Sequence, residues 1–262
     1  MDRTNGLQAA LESDRPALGA KVSTFSPAVI EVYGGIGLDY AWLDLEHAGP
    51  TPFDSETVAA FSRAGEVAGI DPLVRLPSGD PHLVRKVLDA GIRSVLIPRV
   101  ETAEEVRAAV RAARFTYDGE PGERGVGIGR TSRFGTDFED HVAREDREAL
   151  VGVMIENETA VDNLEEILAV PELGFVFVGP ADLSVSQGRP LETDHPDVRD
   201  RVADIRDAAV DAGVPAGRIA ESPEMATQAA TDGFSMLRIG GDISAAAAVL
   251  GERVSAIRDR ES

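Results

Sequence analysis

Residues 151–184, VGVMIENETAVDNLEEILAVPELGFVFVGPADLS, read as strand, helix and strand, with a carboxylate at the end of each strand. The runs VGVMI and FVFV are short and apolar, the pattern of parallel strands buried on both faces. Between them, 163–168 repeats apolar positions at helical spacing. In a parallel α/β architecture the carboxyl ends of neighbouring strands lie side by side, so Glu156 and Asp182 are expected to converge. Two buried carboxylates repel unless a proton or a cation comes between them. A divalent metal is the economical answer, and it points to an enzyme.

The same alternation runs through the whole chain. Strands are predicted at 18–23, 40–45, 72–76, 94–97, 151–155, 174–178, 214–219 and 234–239. Helical periodicity fills most gaps, among them 55–68, 81–90, 103–113, 198–212 and 244–258. Gly69, Gly91 and Gly213 stand where those helices end, as glycines just past a helix should. At 262 residues and 43% apolar, the chain can bury one barrel-sized core. The expectation is an α/β fold, a (β/α)8 TIM barrel, as a single domain over 1–262 with its core at about 17–259. A doubly wound sheet is the alternative, but it does not call for eight units so evenly spaced. One segment breaks the rhythm: 116–136, TYDGEPGERGVGIGRTSRFGT, is long and glycine-rich, and loops of that length tend to be functional or mobile.

Composition excludes several chemistries. There is no cysteine, so disulfides, thiolate nucleophiles and Cys-ligated zinc are out. A net charge of −20 disfavours nucleic acid and anionic membrane, because counterion release needs a basic surface. No signal peptide or membrane span is read, which predicts a cytoplasmic protein. An acid-rich surface with only Lys21 and Lys86 as lysines suggests a salt-adapted, halophilic cytoplasm. Schiff-base chemistry needs a lysine aimed into the site. Lys86 falls mid-helix and Lys21 early in the first strand, so imine chemistry is disfavoured.

Side chains alternate along a strand, so Asp44 and Glu46 share a face of YAWLDLEH, with His47 just beyond. Leu73 shares one with Arg75, and Met154 one with Glu156. If those faces point inward, Asp44, Glu46, Arg75, Glu156 and Asp182 gather at the carboxyl-terminal mouth, where barrel enzymes keep their chemistry. Four carboxylates against one arginine leave room for a divalent cation and an anionic substrate held by Arg75. In the turn GPADLS the amides of Ala181 and Asp182 open a helix and can receive a carboxylate; Pro180 has no N–H. All-oxygen ligation favours Mg²⁺ or Mn²⁺ over structural zinc, with Co²⁺ a further candidate.

WLDLEH, the arginine of LVRLP, the loop ERGVG, IENETAVDNLEEI and FVGPADLS together resemble the HpcH/HpaI aldolases, in matching order from about Leu18 to Asp242. The resemblance implies a metal-dependent class II aldolase acting on 4-hydroxy-2-oxo acids such as 4-hydroxy-2-oxoheptanedioate, releasing pyruvate and an aldehyde. It implies Glu156 and Asp182 as metal ligands and Arg75 as the contact to the oxo-acid end and the enolate. His47 is then the acid/base residue, with Asp44 and Glu46 supporting it and Arg124 of ERGVG a further supporting residue. The turn at Gly179, Ala181 and Asp182 holds the pyruvate carboxylate. Homo-oligomers, typically hexamers with exchanged C-terminal helices, are implied as well. This chain departs from the family at Met154, where glutamine is frequent, in the shorter loop after GVG, and at Arg99, a position more often apolar.

Blander readings compete at each residue. Glu156 can be a helix N-terminal charge, Asp182 an N-cap, His47 a solvated loop histidine and Asp44 a structural partner of Arg75. Arg75 is the hardest to dismiss, because a buried guanidinium requires partners. Asp89 reads as helix surface, with a role in holding His47 as the alternative. Arg124, Arg130 and Arg133 are candidates for a far carboxylate or a phosphate, or else partners of surface acids. GVGIG does not continue into a dinucleotide fingerprint. The run Ala245 to Ala248 reads as a close-packed helix at a subunit contact. Two other functions stay open: a CoA-ester lyase of malyl- or citramalyl-CoA type, and a catalytically silent metabolite-binding barrel.

Overall fold

The computed structural model describes residues 4–136 and 138–259. Its barrel strands are β1 (Ala17–Lys21), β2 (Tyr40–Asp44), β3 (Asp71–Arg75), β4 (Ser94–Ile97), β5 (Leu150–Ile155), β6 (Phe175–Val178), β7 (Ala216–Ile219) and β8 (Met236–Gly241), and Thr116–Tyr117 and Glu120–Pro121 form a short antiparallel pair outside it. Each barrel strand pairs in parallel with its sequence neighbours, and β8 pairs back to β1, closing the (β/α)8 barrel. Strand ends fall within two residues of the sequence reading.

The helices are α1 (Gly6–Leu11), α2 (Pro27–Gly35), α3 (Ser55–Ala68), α4 (Pro81–Asp89), α5 (Ala103–Ala113), α6 (His141–Glu148), α7 (Glu158–Asp162), α8 (Leu164–Leu168), α9 (Pro180–Ser186), α10 (Pro196–Asp211), α11 (Pro223–Thr231) and α12 (Asp242–Arg258). Local chemistry sets their ends. Proline opens α2, α4, α9, α10 and α11, where its missing N–H costs nothing. Thr102 and Glu105 form a capping box on α5. Gly69, Gly91 and Gly213 all take positive φ past their helices. The helix read at 163–168 is α8, and a separate one-turn piece, α7, precedes it, the two meeting at Asn163.

Two apolar layers follow from strand alternation. One lies between strands and helices; the other fills the barrel with Ala17, Tyr40, Trp42, Leu73, Leu96, Leu150, Met154, Phe175, Phe177 and Met236. Glycines make room for the interior rings. A Cβ at Gly19 would sit 2.3 Å from the Tyr40 ring, and one at Gly152 would sit 2.3 Å from Phe175. The amino-terminal end is closed by α1, whose Leu7 and Ala10 join the interior cluster. Asn5 caps that helix and ties it down through Ser94 Oγ at 3.0 Å and the Glu148 carbonyl at 2.9 Å. That plug was not anticipated from the sequence. Among the described residues no helix is long and apolar enough to cross a membrane.

Candidate active site

The register of β2 and β3 places Asp44 opposite Arg75. Arg75 grips Asp44 with a two-pronged fork, Nε to Oδ1 at 2.9 Å and Nη2 to Oδ2 at 2.6 Å. Its remaining nitrogen, Nη1, lies 2.9 Å from Glu46 Oε2 and donates to Met154 Sδ at 3.5 Å. Lys21 Nζ donates to Asp44 Oδ2 at 2.9 Å. Burial alone would raise the Asp44 pKa, but hydrogen bonds from Arg75 and Lys21 outweigh it and hold the carboxyl well below the usual range. Burial likewise opposes the Arg75 charge, yet Asp44, Glu46 and Glu156 together raise its pKa above the ordinary value. The guanidinium is thus fixed in place and in charge.

Glu156 follows β5 and is 3% exposed. Its Oε1 accepts the Arg99 amide at 2.7 Å. Arg99 can present that amide because its backbone is left-handed, with φ at 55°. Its backbone, not its side chain, is what reaches Glu156. Oε2 is buried without a hydrogen-bond partner. Room for it exists because Gly179 lacks a Cβ, which would lie 2.8 Å from Oε2. Burial pushes the Glu156 pKa up to about 7; the Arg99 amide opposes this, while the charges of Asp182 and Glu46 add to it. An unpartnered buried carboxylate oxygen, repelled by a second carboxylate, is what a divalent cation would satisfy. Among the described residues no cluster of three or more histidine, aspartate or glutamate side chains is arranged for a metal. Two carboxylates suffice for Mg²⁺, which commonly fills its remaining positions with substrate and water.

The other predicted residues fall around this centre. His47 lies at the rim with its side chain 61% exposed and Nε2 3.5 Å from Glu46 Oε2. Its amide and that of Glu46 point at Asp44 Oδ1, at 3.4 and 3.3 Å. Gly179 spends its own N–H on the Ile155 carbonyl, so the open amides of that turn begin at Ala181. Asp182 sits in the first turn of α9, which no side chain caps.

Arg124 is a correction. It is buried against Glu145 at 2.9 Å and Asp89 at 3.9 Å, with its guanidinium over the Phe115 ring at 5.0 Å. Asp89 ends α4 and Glu145 lies in the last turn of α6, which puts this cluster at the amino-terminal end of the barrel, away from Glu156. Within one chain Asp89 accordingly lies at the opposite end of the barrel from His47. Arg130 pairs with Glu66, so the surface-acid reading applies to it. The segment 116–136 carries a two-residue hairpin and a 3-10 turn, and it packs outside α3 and α4 instead of over the mouth. Lys21 is the opposite case. It is the last residue of β1, not an early one, and it reaches Asp44. Arg238 was missed altogether, although it lies two residues after Met236 and the period-2 rule would have found it.

A sequence profile of the family described as HpcH/HpaI aldolase/citrate lyase matches residues 20–248. A hydroxypyruvate/pyruvate aldolase of Paraburkholderia phytofirmans is 35% identical over 244 residues, covering 92% of each chain. A 5-keto-4-deoxy-D-glucarate aldolase of Salmonella paratyphi A is 33% identical over 242 residues, again 92% of each. The crystal structure of an HpcH/HpaI aldolase/citrate lyase family protein from Burkholderia cenocepacia superposes with a TM-score of 0.88 at 34% identity, covering 99% of this chain and 100% of that one.

Proposed function

This chain belongs to the HpcH/HpaI aldolase/citrate lyase family and is a carbon–carbon lyase, and from that premise we propose that it cleaves a 4-hydroxy-2-oxo acid, such as 4-hydroxy-2-oxoheptanedioate, to pyruvate and an aldehyde. The observation that carries the reading is the buried, unpartnered Oε2 of Glu156 beside Asp182 and Arg75. Glu156 and Asp182 are the residues that would hold Mg²⁺, Mn²⁺ or Co²⁺, which when bound supplies Lewis acidity toward the 2-oxo acid.

The chain's own groups do the rest. Arg75, locked by Asp44, faces the 2-oxo oxygen and stabilises the enolate charge as C3–C4 breaks. The amides of Ala181 and Asp182 receive the pyruvate carboxylate. His47, steadied by Glu46, takes the 4-hydroxyl proton directly or through water. A proton from solvent, with which the exposed imidazole can exchange, is delivered to C3 of the enolate to give pyruvate. The CoA-ester alternative needs a phosphate-binding basic surface, and two of its candidates, Arg124 and Arg130, are already engaged by Glu145 and Glu66. We further propose that 1–262 works as one barrel domain, and that α12 is exchanged between copies of a homo-oligomer, with a hexamer the form the resemblance implies.

The test is exchange of the pyruvate C3 protons for deuterium, followed by NMR with and without Mg²⁺ or Mn²⁺. Metal-dependent exchange is expected, falling at least a hundredfold in Glu156→Ala and Asp182→Ala with helix content unchanged, on the usual scale for losing charge stabilisation. Full activity in either variant would overturn the assignment.

A further inference from the structure

Arg238 stands on the inner wall of the barrel. Met236, two residues earlier on β8, is fully buried in the interior, and strand alternation puts Arg238 on the same face. In register it lies between Ile219, the last residue of β7, and Gly19 of β1. Its guanidinium stacks on Trp42 at 5.7 Å, and that of Arg75 lies 5.9 Å from the same ring. Among the described residues no hydrogen bond or ion pair reaches the guanidinium, and its Nε is buried without a partner. Burial pulls its pKa down; Tyr40 and Glu221 raise it, Arg75 lowers it and Asp44 raises it, but neither acid closes to an ion pair. The three cations of this region are placed differently: Arg75 and Lys21 share Asp44, whereas Arg238 has only a ring.

A half-buried guanidinium with no counter-charge is an incomplete arrangement, and an anion completes it. Its place around the barrel says which anion. Glu156 follows β5, Arg75 ends β3 and Arg238 lies on β8, so the three stand apart around one ring of strands. A substrate whose pyruvate half is fixed between Glu156, Asp182 and Arg75 extends its other half toward β8 and β1. We propose that Arg238 is the specificity residue for the aldehyde half of the substrate, receiving a carboxylate at its far end. This rests on the aldolase reading and adds to it the residue that recognises the far acid group of such a substrate. Lys21, at the end of the adjacent β1, adds positive charge to the same wall.

The experiment compares aldol addition of pyruvate to succinic semialdehyde and to butanal, its neutral counterpart, in wild type, Arg238→Leu and Arg238→Lys. Arg238→Leu is expected to lose at least tenfold more kcat/KM with succinic semialdehyde than with butanal, chiefly through the KM of the acceptor. Arg238→Lys is expected to recover part of the preference, since it restores charge without the fork. Equal losses with both acceptors would overturn the proposal and leave Arg238 as a support for Trp42. Calorimetric titration with glutarate reads the subsite without turnover. Binding by wild type that vanishes in Arg238→Leu supports it, and binding unaffected by the substitution, or none in wild type, overturns it. Wild type that binds glutarate through Arg238 yet adds pyruvate to neither aldehyde would sink the aldolase reading alone.

Discussion

Two carboxylates of this site are driven in opposite directions, and the difference lies in their neighbours. Asp44 accepts from Arg75 and Lys21 and is held ionised; Glu156 has one backbone amide, an empty oxygen and two acidic neighbours, and its pKa rises to about 7. The Glu156 shift has a definite consequence for stability. The folded protein holds this proton more tightly than the unfolded chain, whose carboxyl titrates near 4.5. The stabilisation is therefore complete below about pH 4.5 and is lost as pH rises through about 7. Two and a half pK units set its ceiling at about 3 kcal/mol. Urea unfolding of metal-free protein should show this loss between pH 5 and pH 8, with Glu156→Gln flattening it and leaving the variant more stable than wild type at pH 8. An unchanged pH slope in Glu156→Gln would mean that Glu156 titrates normally. Metal should act in the same window, restoring stability at pH 8 by competing for the carboxylate.

At the scale of elements, the site depends on strand ends and on the turns that follow them. Arg99 turns left-handed after β4 to aim its amide, and Gly179 after β6 leaves the space that Glu156 fills. Gly179→Ala should push the carboxylate aside, because the new Cβ would lie 2.8 Å from both Glu156 Cβ and Oε2. The φ of Gly179 is −105°, so the backbone itself tolerates alanine and the fold should survive. The expected outcome is a Mn²⁺ affinity weakened at least tenfold by calorimetry with unchanged circular dichroism; unaltered affinity would remove Gly179 from the argument. These elements also explain what could be read beforehand. Runs such as FVFV and SVLI announce buried parallel strands through composition alone, and glycines such as Gly69 mark helix ends by a backbone geometry other residues avoid. Asp44 was legible as sharing an inward strand face with Glu46, and Arg75 as sharing one with Leu73. Arg124 was not, because ERGVG is a loop whose position depends on packing against Glu145, a contact that leaves no periodic trace. Arg238 carried the signal, yet an arginine inside a barrel goes against hydrophobic patterning and was passed over.

On the scale of the molecule, α12 is the element that the barrel does not explain. None of its residues is buried, and Ile243, Val249, Leu250, Val254 and Ile257 are all exposed. Four of these, Ile243, Leu250, Val254 and Ile257, fall on one stripe at spacings of seven, four and three, the pattern of a helix made to pack against another surface. The base of the helix is well anchored, since Asp242 accepts from the amides of Ser23 and Thr24 at 2.7 and 3.0 Å. A helix fixed at its start and bare along its length suits exchange between copies, which would cover the stripe without cost to the barrel. A net charge of −20 adds repulsion between copies that salt screens, so assembly should tighten with ionic strength. Removal of residues 244–262 keeps Asp242 in place and takes away the stripe from Leu250 onward. Light scattering should show the full chain as an oligomer and the truncated chain as a monomer, with barrel circular dichroism retained. A full chain that is monomeric at micromolar concentration in high salt, or a truncated one of unchanged assembly, would show that α12 is covered in some other way.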